Sequence, residues 1–493
     1  KKINKTNMSS SVTIMISNFI DGQFIDNRNS FESYNPSNGN VNALMPDSNE
    51  QDVRLATNAA LKAFEIWSKT SDKYRIEILN KIADLIEKNL DELAKLESED
   101  QGKPLWLSKS VDIPRSVLNF RHFANYLSYQ SDHSIVNHDA GIINYISRQP
   151  VGVVGIITPW NLPLYLLTFK LAPAIAFGNT VVAKPSELTS VTAFRLCQIF
   201  TEAGLPNGVI NMVFGYGNKV GEAIVKHPSI KLLSFTGSTM TGQKIAQQAA
   251  PLFKRLSLEM GGKNAAIIFD DVDLEKSMMN IAKSVYFNSG QICLATSRIL
   301  VHDNIYEEFI EKFTKISNEF IVGDPFEKHT KLGPMVSRQH CDKVMRYIEL
   351  ARNTTTARMT YLEPKNPNKN GYYCGIAIVS DVQIDSPLMM EEIFGPVVCI
   401  VKFKDEQEAI KIANNTTYGL SATVWTKSLD RMHRVCHQIE AGTVWGNCWL
   451  VRNLNMPFGG VKQSGIGHES TDDSREFYTN KKTICILLEK SLN

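Results

Sequence analysis

One cysteine is a candidate for covalent chemistry. Cys293 lies in the segment SGQICLATSR, between a predicted helix that ends near Asn288 and a predicted strand that begins at Ser297. A free thiol with a pKa near about 8.5 is only a few per cent ionised at neutral pH, so a nucleophilic cysteine needs a base or a positive field. For the other seven cysteines, burial as inert thiols is the simpler interpretation.

Two further side chains could assist Cys293. Glu259 ends an apolar strand in LSLEMGGKN, and Asn161 follows a strand in TPWNLP. A carboxylate can act as a general base, and a fixed amide can stabilise an oxyanion. Taken alone, Glu259 is more simply interpreted as a solvated charge and Asn161 as a helix cap.

Glycine-rich turns indicate candidate phosphate contacts. The segment GYGNKVG contains Gly217 and Gly221 but is one residue longer than the dinucleotide fingerprint, and a plain turn explains it about as well. In FTGSTMTG, Gly237 and Ser238 follow a strand at a predicted helix start, where free amides attract phosphate. A serine cap beside a structural glycine is the alternative.

Charged residues also lie at the end of another predicted strand. The strand Thr180 to Lys184 continues into KPSE, which presents Lys184, Ser186 and Glu187 at the carboxyl edge of the predicted sheet. A carboxylate there can accept both ribose hydroxyls of adenosine and repels a 2′-phosphate, so Glu187 favours NAD over NADP. Ordinary surface charges are the alternative.

The elements that must position these residues follow from hydrophobic periodicity. Helices are predicted from Asp52 to Trp67 and from Arg75 to about Glu99, and after Gly152 short β-branched runs alternate with helices. This alternation predicts two α/β domains with parallel, doubly wound sheets. The segments at 141 to 150 and KKTICILL near the end are expected to be lone edge strands that seek a partner chain.

Composition excludes several classes of partner. The 493 residues include 53 basic and 51 acidic side chains without a long block of either sign, which argues against nucleic acid or a membrane surface as a partner. No apolar run is long enough to span a bilayer, and the cysteines lack metal-ligand spacing. We expect a cytoplasmic protein without a bound metal, and a basic, disordered tail before Met8.

Together these segments resemble the aldehyde dehydrogenase superfamily. The matching segments occur in family order over nearly the whole chain, from about Phe19 to Leu487, which makes the joint match far more specific than any one segment. They are TPWNLP from Thr158, KPSE from Lys184, FTGS from Phe235, LEMGG from Leu258, GQIC from Gly290, EEIFGP from Glu391 and PFGG from Pro457. His468 departs from the family, whose members usually carry arginine before this glutamate.

The resemblance implies a role for each matching residue. Cys293 would be the nucleophile, Glu259 the general base, and Asn161 with the Cys293 backbone amide the oxyanion hole. The cofactor NAD would be held by a larger set: Ile157, Thr158, Pro159, Trp160, Lys184, Ser186, Glu187, Gly217, Gly221, Phe235, Gly237, Ser238, Glu392 and Phe394.

The resemblance also implies an architecture. The expected fold is aldehyde dehydrogenase-like α/β, with a Rossmann-type NAD-binding domain, an α/β catalytic domain and a small β oligomerisation arm. The NAD-binding domain would comprise 1–131 and 152–261, the catalytic domain 262–464, and the arm 132–151 and 465–493. A homodimer or homotetramer is expected.

The expected reaction is oxidation of an aldehyde to a carboxylic acid through a thioester on Cys293. Within the family, the segments 112–124 and 447–467 most resemble members that oxidise 2-aminomuconic semialdehyde in tryptophan breakdown by the kynurenine route. Arg115 and Arg452 would then face the aldehyde tunnel and bind a substrate carboxylate, although a surface position is the simpler interpretation of any single arginine.

Other functions remain open at this point. A broad, retinal or aliphatic aldehyde dehydrogenase would fit if either arginine faced solvent. Relatives that pass the acyl group to coenzyme A or phosphate would not need a base at Glu259. A catalytically silent relative predicts a lost nucleophile, and a cofactor-binding regulator predicts NAD binding without turnover.

Overall fold

The computed structural model describes residues 13–26, 29–365 and 367–488. The tail predicted before Met8 lies outside these residues. The strands, in chain order, are β1 (Ile14–Met15), β2 (Asn18–Ile20), β3 (Gln23–Ile25), β4 (Ser30–Tyr34), β5 (Val41–Pro46), β6 (Ser134–Asn137), β7 (Ile142–Pro150), β8 (Val153–Ile157), β9 (Thr180–Lys184), β10 (Ile210–Met212), β11 (Ile230–Thr236), β12 (Arg255–Glu259), β13 (Asn264–Ile268), β14 (Thr296–His302), β15 (Arg358–Leu362), β16 (Ile376–Ser380), β17 (Val397–Phe403), β18 (Ser421–Trp425), β19 (Thr443–Gly446), β20 (Gly465–Ile466) and β21 (Thr479–Leu487).

The α-helices lie between and around these strands. They are α1 (Glu50–Trp67), α2 (Asp72–Lys88), α3 (Leu90–Gln101), α4 (Leu105–Leu107), α5 (Ile113–Tyr126), α6 (Pro163–Ala176), α7 (Val191–Glu202), α8 (Glu222–Lys226), α9 (Thr239–Ala249), α10 (Leu274–Tyr286), α11 (Tyr306–Ser317), α12 (Arg338–Arg352), α13 (Pro387–Met390), α14 (Glu406–Asn414), α15 (Leu429–Gln438) and α16 (Thr471–Tyr478). Short π-helical turns occupy 108–112, before α5, and 217–221, before α8.

The prediction of one helix from Arg75 to about Glu99 is wrong. Asn89 separates α2 from α3, and its backbone leaves the helical region at φ −100° and ψ 21°. Its side-chain amide donates to the carbonyl of Leu85 at 2.7 Å, in competition with the helical backbone bonds. The helical region is therefore two helices, α2 and α3.

The first large sheet carries the candidate cofactor residues. Its strand order is β20-β12-β11-β8-β9-β10-β2-β3, and the five strands from β12 to β10 are parallel. Because β9 and β10 lie on one side of β8 and β11 and β12 on the other, the order reverses beside β8. In open α/β sheets a ligand crevice forms beyond the carboxyl ends of the strands at such a reversal.

The strand register aligns residues from separate motifs at this edge. Ile157 is paired with Lys184 on one side and with Phe235 on the other. Thr236 is paired with Glu259 on the next strand. Residues that are far apart in the sequence therefore lie side by side at the carboxyl edge of this sheet.

The second large sheet has the order β15-β16-β17-β14-β13-β18-β19, parallel except for β15. The parallel α/β architecture predicted from the sequence is therefore confirmed. Buried apolar side chains line both faces of each large sheet. A smaller apolar cluster, with members such as Ile292, Trp445 and Phe458, packs against the Cys293 loop.

A separate small sheet corrects the prediction of two lone edge strands. β21 pairs with β7 antiparallel in the same chain, from Thr479 opposite Pro150 to Leu487 opposite Ile142, and β6 pairs with the other edge of β7. Each strand thus satisfies the backbone groups of the other. The boundary predicted at 465 also needs correction, because β20 pairs with β12 of the first large sheet.

Within the described ranges, no helix is both long and apolar enough to cross a bilayer. The same ranges contain no group of three or more His, Cys, Asp or Glu side chains that could hold a metal ion.

Candidate active site

Cys293 is positioned by an irregular loop between α10 and β14. Asn288 and Ser289 adopt positive φ angles of 50° and 57°, which turn the chain sharply after the helix. The carbonyl of Cys293 accepts a hydrogen bond of 2.6 Å from the Asn264 side chain. The thiol is partly buried, and burial together with the charges of Glu259 and Glu392 raises its pKa to about 12. Ionisation of Cys293 therefore requires a proton acceptor.

Glu259 ends β12 and is a buried carboxyl, 5% exposed. Thr236 donates a 3.1 Å hydrogen bond to its Oε2, whereas Oε1 has no hydrogen-bond partner among the described residues. Burial raises the pKa of Glu259 to about 7, against the lowering effect of Lys170. The group can take up and release a proton near neutral pH.

A buried ion cluster lies behind Glu259. Lys170 Nζ contacts Glu469 Oε1 at 2.8 Å, and the hydroxyls of Ser234 and Ser257 donate to the same oxygen. The Glu469 carboxylate raises the pKa of Glu259 while Lys170 lowers it. The cluster thus adjusts the charge of the candidate base.

Asn161 lies beside the cysteine loop. Its side-chain amide donates to the carbonyl of Gln291 at 3.0 Å. Its own backbone carbonyl accepts from Lys103 Nζ at 3.1 Å and from the Asn288 side chain at 3.0 Å. These contacts fix Asn161 to the loop that carries Cys293, and the amide keeps a second N–H for an oxyanion.

A cavity of about 250 Å³ joins the two large sheets beside the thiol. It brings together eight of the residues predicted from the sequence: Pro159, Trp160, Asn161, Gly237, Ser238, Cys293, Glu392 and Phe394. Thr236, Met260, Gly261, His340 and Lys343 complete the lining. A ligand in this cavity would contact the candidate nucleophile directly.

Glu392 and Phe394 approach the cavity from the second sheet. Glu392 Oε1 accepts from the backbone amide of Gly262 at 2.9 Å, and burial raises its pKa. A Cβ on Gly261 would lie 2.3 Å from Glu392 Oε2, so a side chain at 261 would displace the Glu392 carboxylate. Phe394 adopts a positive φ of 64° and packs edge-on against Trp160.

His340 and Lys343 were not predicted from the sequence. His340 contacts the carbonyl of Phe394 at 2.8 Å, and Lys343 Nζ donates to the carbonyl of Glu392 at 3.0 Å. Both lie on α12, a helix that packs against the second large sheet and contains no recognisable sequence motif. Only their spacing of three residues, which places them on one helix face, could have indicated a shared role.

A second group of predicted residues lies at the carboxyl edge of β8 and β9. Lys184 Nζ pairs with Glu187 Oε2 at 2.8 Å, and the amide of Gly217 approaches Glu187 Oε1 at 3.5 Å. A Cβ on Gly221 would lie 3.7 Å from Lys184 and 3.8 Å from Ile157. The structure therefore brings these five residues together.

The remaining predicted residues have structural contacts. The Thr158 amide donates to the carbonyl of Lys184 at 3.1 Å, and Phe235 is buried beneath Gly237. Ser186 accepts from the amide of Leu188, and Ser238 accepts from that of Thr241 as the cap of α9.

Arg115 and Arg452 are both partly buried. Burial lowers the pKa of Arg115, and the charge of Arg452 adds to this effect. The charge of Arg452 also lowers the pKa of Glu259. The Arg115 guanidinium lies over the ring of Tyr165 at 5.1 Å, and that of Arg452 over Phe458 at 3.7 Å. Within the described ranges, neither Nη2 atom has a hydrogen-bond partner.

Comparisons with known proteins agree with this geometry. The family model described as "Aldehyde dehydrogenase family" matches residues 24–484. The chain is 48% identical over 480 residues to 2-aminomuconic semialdehyde dehydrogenase of Mus musculus, covering 96% of this chain and 98% of the relative. It is 40% identical to 2-hydroxymuconic semialdehyde dehydrogenase of Pseudomonas sp. (strain CF600), covering 96% of this chain and 99% of the relative.

A solved structure has the same fold. The NAD+ complex of aldehyde dehydrogenase from Bacillus cereus superimposes with a TM-score of 0.92 at 38% identity, covering 96% of each chain.

Proposed function

The chain belongs to the aldehyde dehydrogenase family, and from this premise we propose that it oxidises 2-aminomuconic semialdehyde, or a similar acidic semialdehyde, to the carboxylic acid with NAD. The observation that carries the substrate assignment is the pair of unpartnered Nη2 atoms of Arg115 and Arg452. Buried polar groups in proteins normally have partners, so two buried guanidinium nitrogens without one support a ligand that supplies it.

The surroundings of the two arginines favour an anion. Aromatic rings, rather than carboxylates, hold both guanidinium groups within the described ranges. Asn119 Oδ1 accepts from Arg115 Nε at 3.2 Å and fixes that group on α5. Two like charges with unused donors are costly to bury together, whereas a substrate carboxylate would accept charge-assisted hydrogen bonds. The same charges oppose a cationic aldehyde.

The chain's residues also fit NAD. Glu187, at the edge of β9, is placed to accept the ribose hydroxyls of adenosine, and Gly217 leaves open space beside it. Gly237 and Gly261 line the cavity next to Cys293. NAD bound there would supply the hydride acceptor. Because a carboxylate repels a 2′-phosphate, Glu187 supports NAD rather than NADP.

The protein's own side chains account for the remaining chemistry. Cys293 attacks the aldehyde carbon as its proton passes to Glu259, whose pKa of about 7 suits proton exchange near neutral pH. Asn161 and the Cys293 amide stabilise the oxyanion, and loss of one such donor typically slows turnover about a hundredfold to a thousandfold. Glu259 then activates the water that hydrolyses the thioester.

This set of residues distinguishes the alternatives. Acyl transfer to coenzyme A or phosphate needs no buried base at 259, and a catalytically silent relative needs neither a thiol nor an oxyanion donor. Cys293, Glu259 and Asn161 together therefore support hydrolysis to a free acid. A neutral aldehyde as substrate would leave both arginine Nη2 atoms unpaired.

Replacement of each arginine tests the substrate. For Arg115→Ala and Arg452→Ala, kcat/KM would be measured on an acidic semialdehyde and on a neutral aldehyde of similar length. Loss of a charge-assisted contact of about 1.5–3 kcal/mol should lower efficiency on the acidic substrate roughly tenfold or more and spare the neutral one. Equal losses on both substrates would refute the assignment.

Arg121 provides a matched control for this experiment. It lies on the same helix, α5, but is exposed and pairs with Asp84 and Glu87. Arg121→Ala should leave both efficiencies nearly unchanged.

We also propose a division into three parts, with the boundaries predicted above except that β20 is assigned to the NAD-binding domain. The oligomeric state is proposed as a dimer or tetramer through the arm of β6, β7 and β21. A cytoplasmic location is proposed on the basis of the free cysteines.

A further inference from the structure

Two thiols outside the proposed mechanism lie in contact. Cys341 is in the first turn of α12, and Cys374 is in the extended segment that leads into β16. Their Sγ atoms are 3.2 Å apart, and both residues are buried, Cys341 at 4% exposure and Cys374 at 1%. The sulfurs are therefore within hydrogen-bonding distance of each other.

The contact makes the two thiols chemically different. The hydrogen bond from Cys374 lowers the pKa of Cys341, and the nearby charge of Arg338 acts in the same direction. The same hydrogen bond, together with burial, raises the pKa of Cys374. One thiol of the pair is thus favoured as the thiolate and the other as its proton donor, which is the arrangement needed for a two-step oxidation.

We propose that Cys341 and Cys374 form an oxidation site, at which a hydroperoxide converts the two thiols into a disulfide that alters the cofactor cavity. The Cys341 thiolate attacks the peroxide oxygen, giving a sulfenic acid and releasing the alcohol or water. The Cys374 sulfur then attacks the sulfenic sulfur and a second water leaves. Two thiols and one hydroperoxide thus yield one disulfide, one alcohol or water, and one water.

The first two turns of α12 link this site to the cavity. His340 precedes Cys341 and contacts the carbonyl of Phe394, and Lys343 donates to the carbonyl of Glu392. Val344 packs against Gly395, where a Cβ would lie 2.7 Å from the valine. The helix that carries Cys341 therefore also holds the loop that presents Glu392 and Phe394 to the cofactor.

Disulfide formation requires movement, because a disulfide has an S–S length of about 2.05 Å. Backbone contacts on both sides anchor the Cys374 segment. The Met335 amide donates to the carbonyl of Tyr372 at 2.8 Å, and the Gly375 amide donates to the Tyr361 hydroxyl at 3.0 Å. We therefore expect the first turn of α12 to move, and with it His340 and Lys343.

The consequence for NAD rests on the function proposed above. A shift that removes one hydrogen bond at the Glu392–Phe394 loop should weaken NAD binding about fivefold, equivalent to about 1 kcal/mol. Dithiothreitol should restore the original affinity.

The test uses full-length Cys293→Ser protein, so that the candidate nucleophile cannot be oxidised. The protein would be treated with hydrogen peroxide, and its intact mass, disulfide-linked peptides and NAD affinity by tryptophan fluorescence would be measured. We expect a loss of about 2 Da, a peptide joining Cys341 to Cys374, and weaker NAD binding.

Matched variants identify the thiols responsible. In the same background, Cys374→Ser and Cys341→Ser should abolish the 2 Da loss and the linked peptide and keep the reduced-state affinity for NAD after peroxide. Cys485→Ser, which removes an exposed thiol, should behave like the parent. Thermal melting checks folding, and Cys374→Ala serves if the serine variant is unstable.

The outcomes separate the two proposals. If no Cys341–Cys374 disulfide forms in folded protein, the oxidation site is refuted. If the disulfide forms and the affinity for NAD stays unchanged, the link to the cavity is refuted. If the reduced protein binds no NAD, the proposed cofactor fails, and peptide mapping still decides whether the oxidation site exists.

Discussion

At the scale of single residues, the environment of Cys293 determines how the reaction must begin. Burial and two nearby carboxylates raise the pKa of the thiol to about 12, so almost none is ionised at neutral pH in the cofactor-free protein. Glu259, with a pKa of about 7, is the group suited to accept the proton. Attack and proton transfer are therefore coupled.

Cys293→Ser should lose nearly all aldehyde oxidation and keep NAD binding, because the thiol supplies the covalent step and other residues hold the cofactor. NADH absorbance and an NAD titration measure the two effects. Cys485→Ser is the control, since that side chain is exposed and far along the chain. Turnover above a few per cent of the parent would contradict the assignment of the nucleophile.

Glu259 should give turnover a dependence on pH. Because burial raises its pKa to about 7, the carboxyl is protonated below that pH and ionised above it, so steady turnover should rise as pH passes through about 7. Glu259→Gln should remove this rise, slow the NADH burst, and slow steady turnover still more, because Glu259 is proposed both to accept the thiol proton and to activate the hydrolytic water. A stopped-flow series across pH tests both, and equal loss of burst and steady rate would place Glu259 only in thiol activation.

The candidate reacting residues can be proposed from the sequence, but the side chains that support them cannot. Cys293, Glu259 and Asn161 follow strands or helix ends within short motifs, so they can be recognised from the sequence. His340 and Lys343 reach the cavity from α12, a helix that packs against the second large sheet, and only tertiary packing brings them near Phe394. The missing partners of the arginine Nη2 atoms are likewise a property of the folded protein.

At the scale of elements, one buried ion cluster ties the oxyanion donor to the helix that carries Arg115. Lys103 Nζ contacts Asp112 and the carbonyl of Asn161, and lies 3.9 Å from Glu97 of α3. Asp112 ends the π-helical turn directly before α5. The cluster therefore sets the position of Asn161 relative to the arginine proposed to bind the substrate.

Asp112→Asn should destabilise the fold by about 3–5 kcal/mol, because Lys103 would lose its closest counter-charge while fully buried. Denaturant unfolding measures the change. Lys109 lies on the same π-helical turn and forms a surface ion pair with Asp91 of α3. Lys109→Met, which removes that pair, should have little effect. Similar stability of Asp112→Asn and the parent would show that Glu97 alone compensates Lys103.

Helices and strands with regular apolar spacing could be predicted from the sequence. Features that depend on a single side chain or on long-range pairing could not. The strand ending at Lys184 and the helix over Asp52–Trp67 follow from apolar spacing. The break at Asn89 depends on one side chain competing for a backbone carbonyl, and helical periodicity continues across it. Pairing of β21 with β7 depends on contacts over more than 300 residues, which the two separate segments do not reveal.

At the scale of the whole molecule, the arm presents unpartnered apolar surface. Ile135 and Val136 on the edge strand β6 are 66% and 46% exposed, and Leu487 on β21 is 74% exposed. An exposed apolar edge strand is a ready site for pairing with another chain. This supports the proposed assembly through the arm.

Light scattering at micromolar concentration should therefore give a mass at least twice that of one chain. Ile135→Lys should shift the protein towards the monomer by placing a charge on the β6 edge. Leu55→Lys, at an exposed position on α1 away from the arm, is the control. A monomeric mass for the parent chain would contradict the proposed assembly.

The buried cluster beneath Glu259 also has a consequence for biosynthesis. Lys170 and Glu469 are separated by 299 residues, and β20, just before Glu469, covers the edge of β12. Since a chain emerges from the ribosome amino end first, the first large sheet keeps one open edge, and Lys170 lacks Glu469, until β20 and the residues just after it have been synthesised. Nascent chains therefore expose the edge of β12 from its own synthesis until that of β20, and products truncated before β20 cannot complete the cluster.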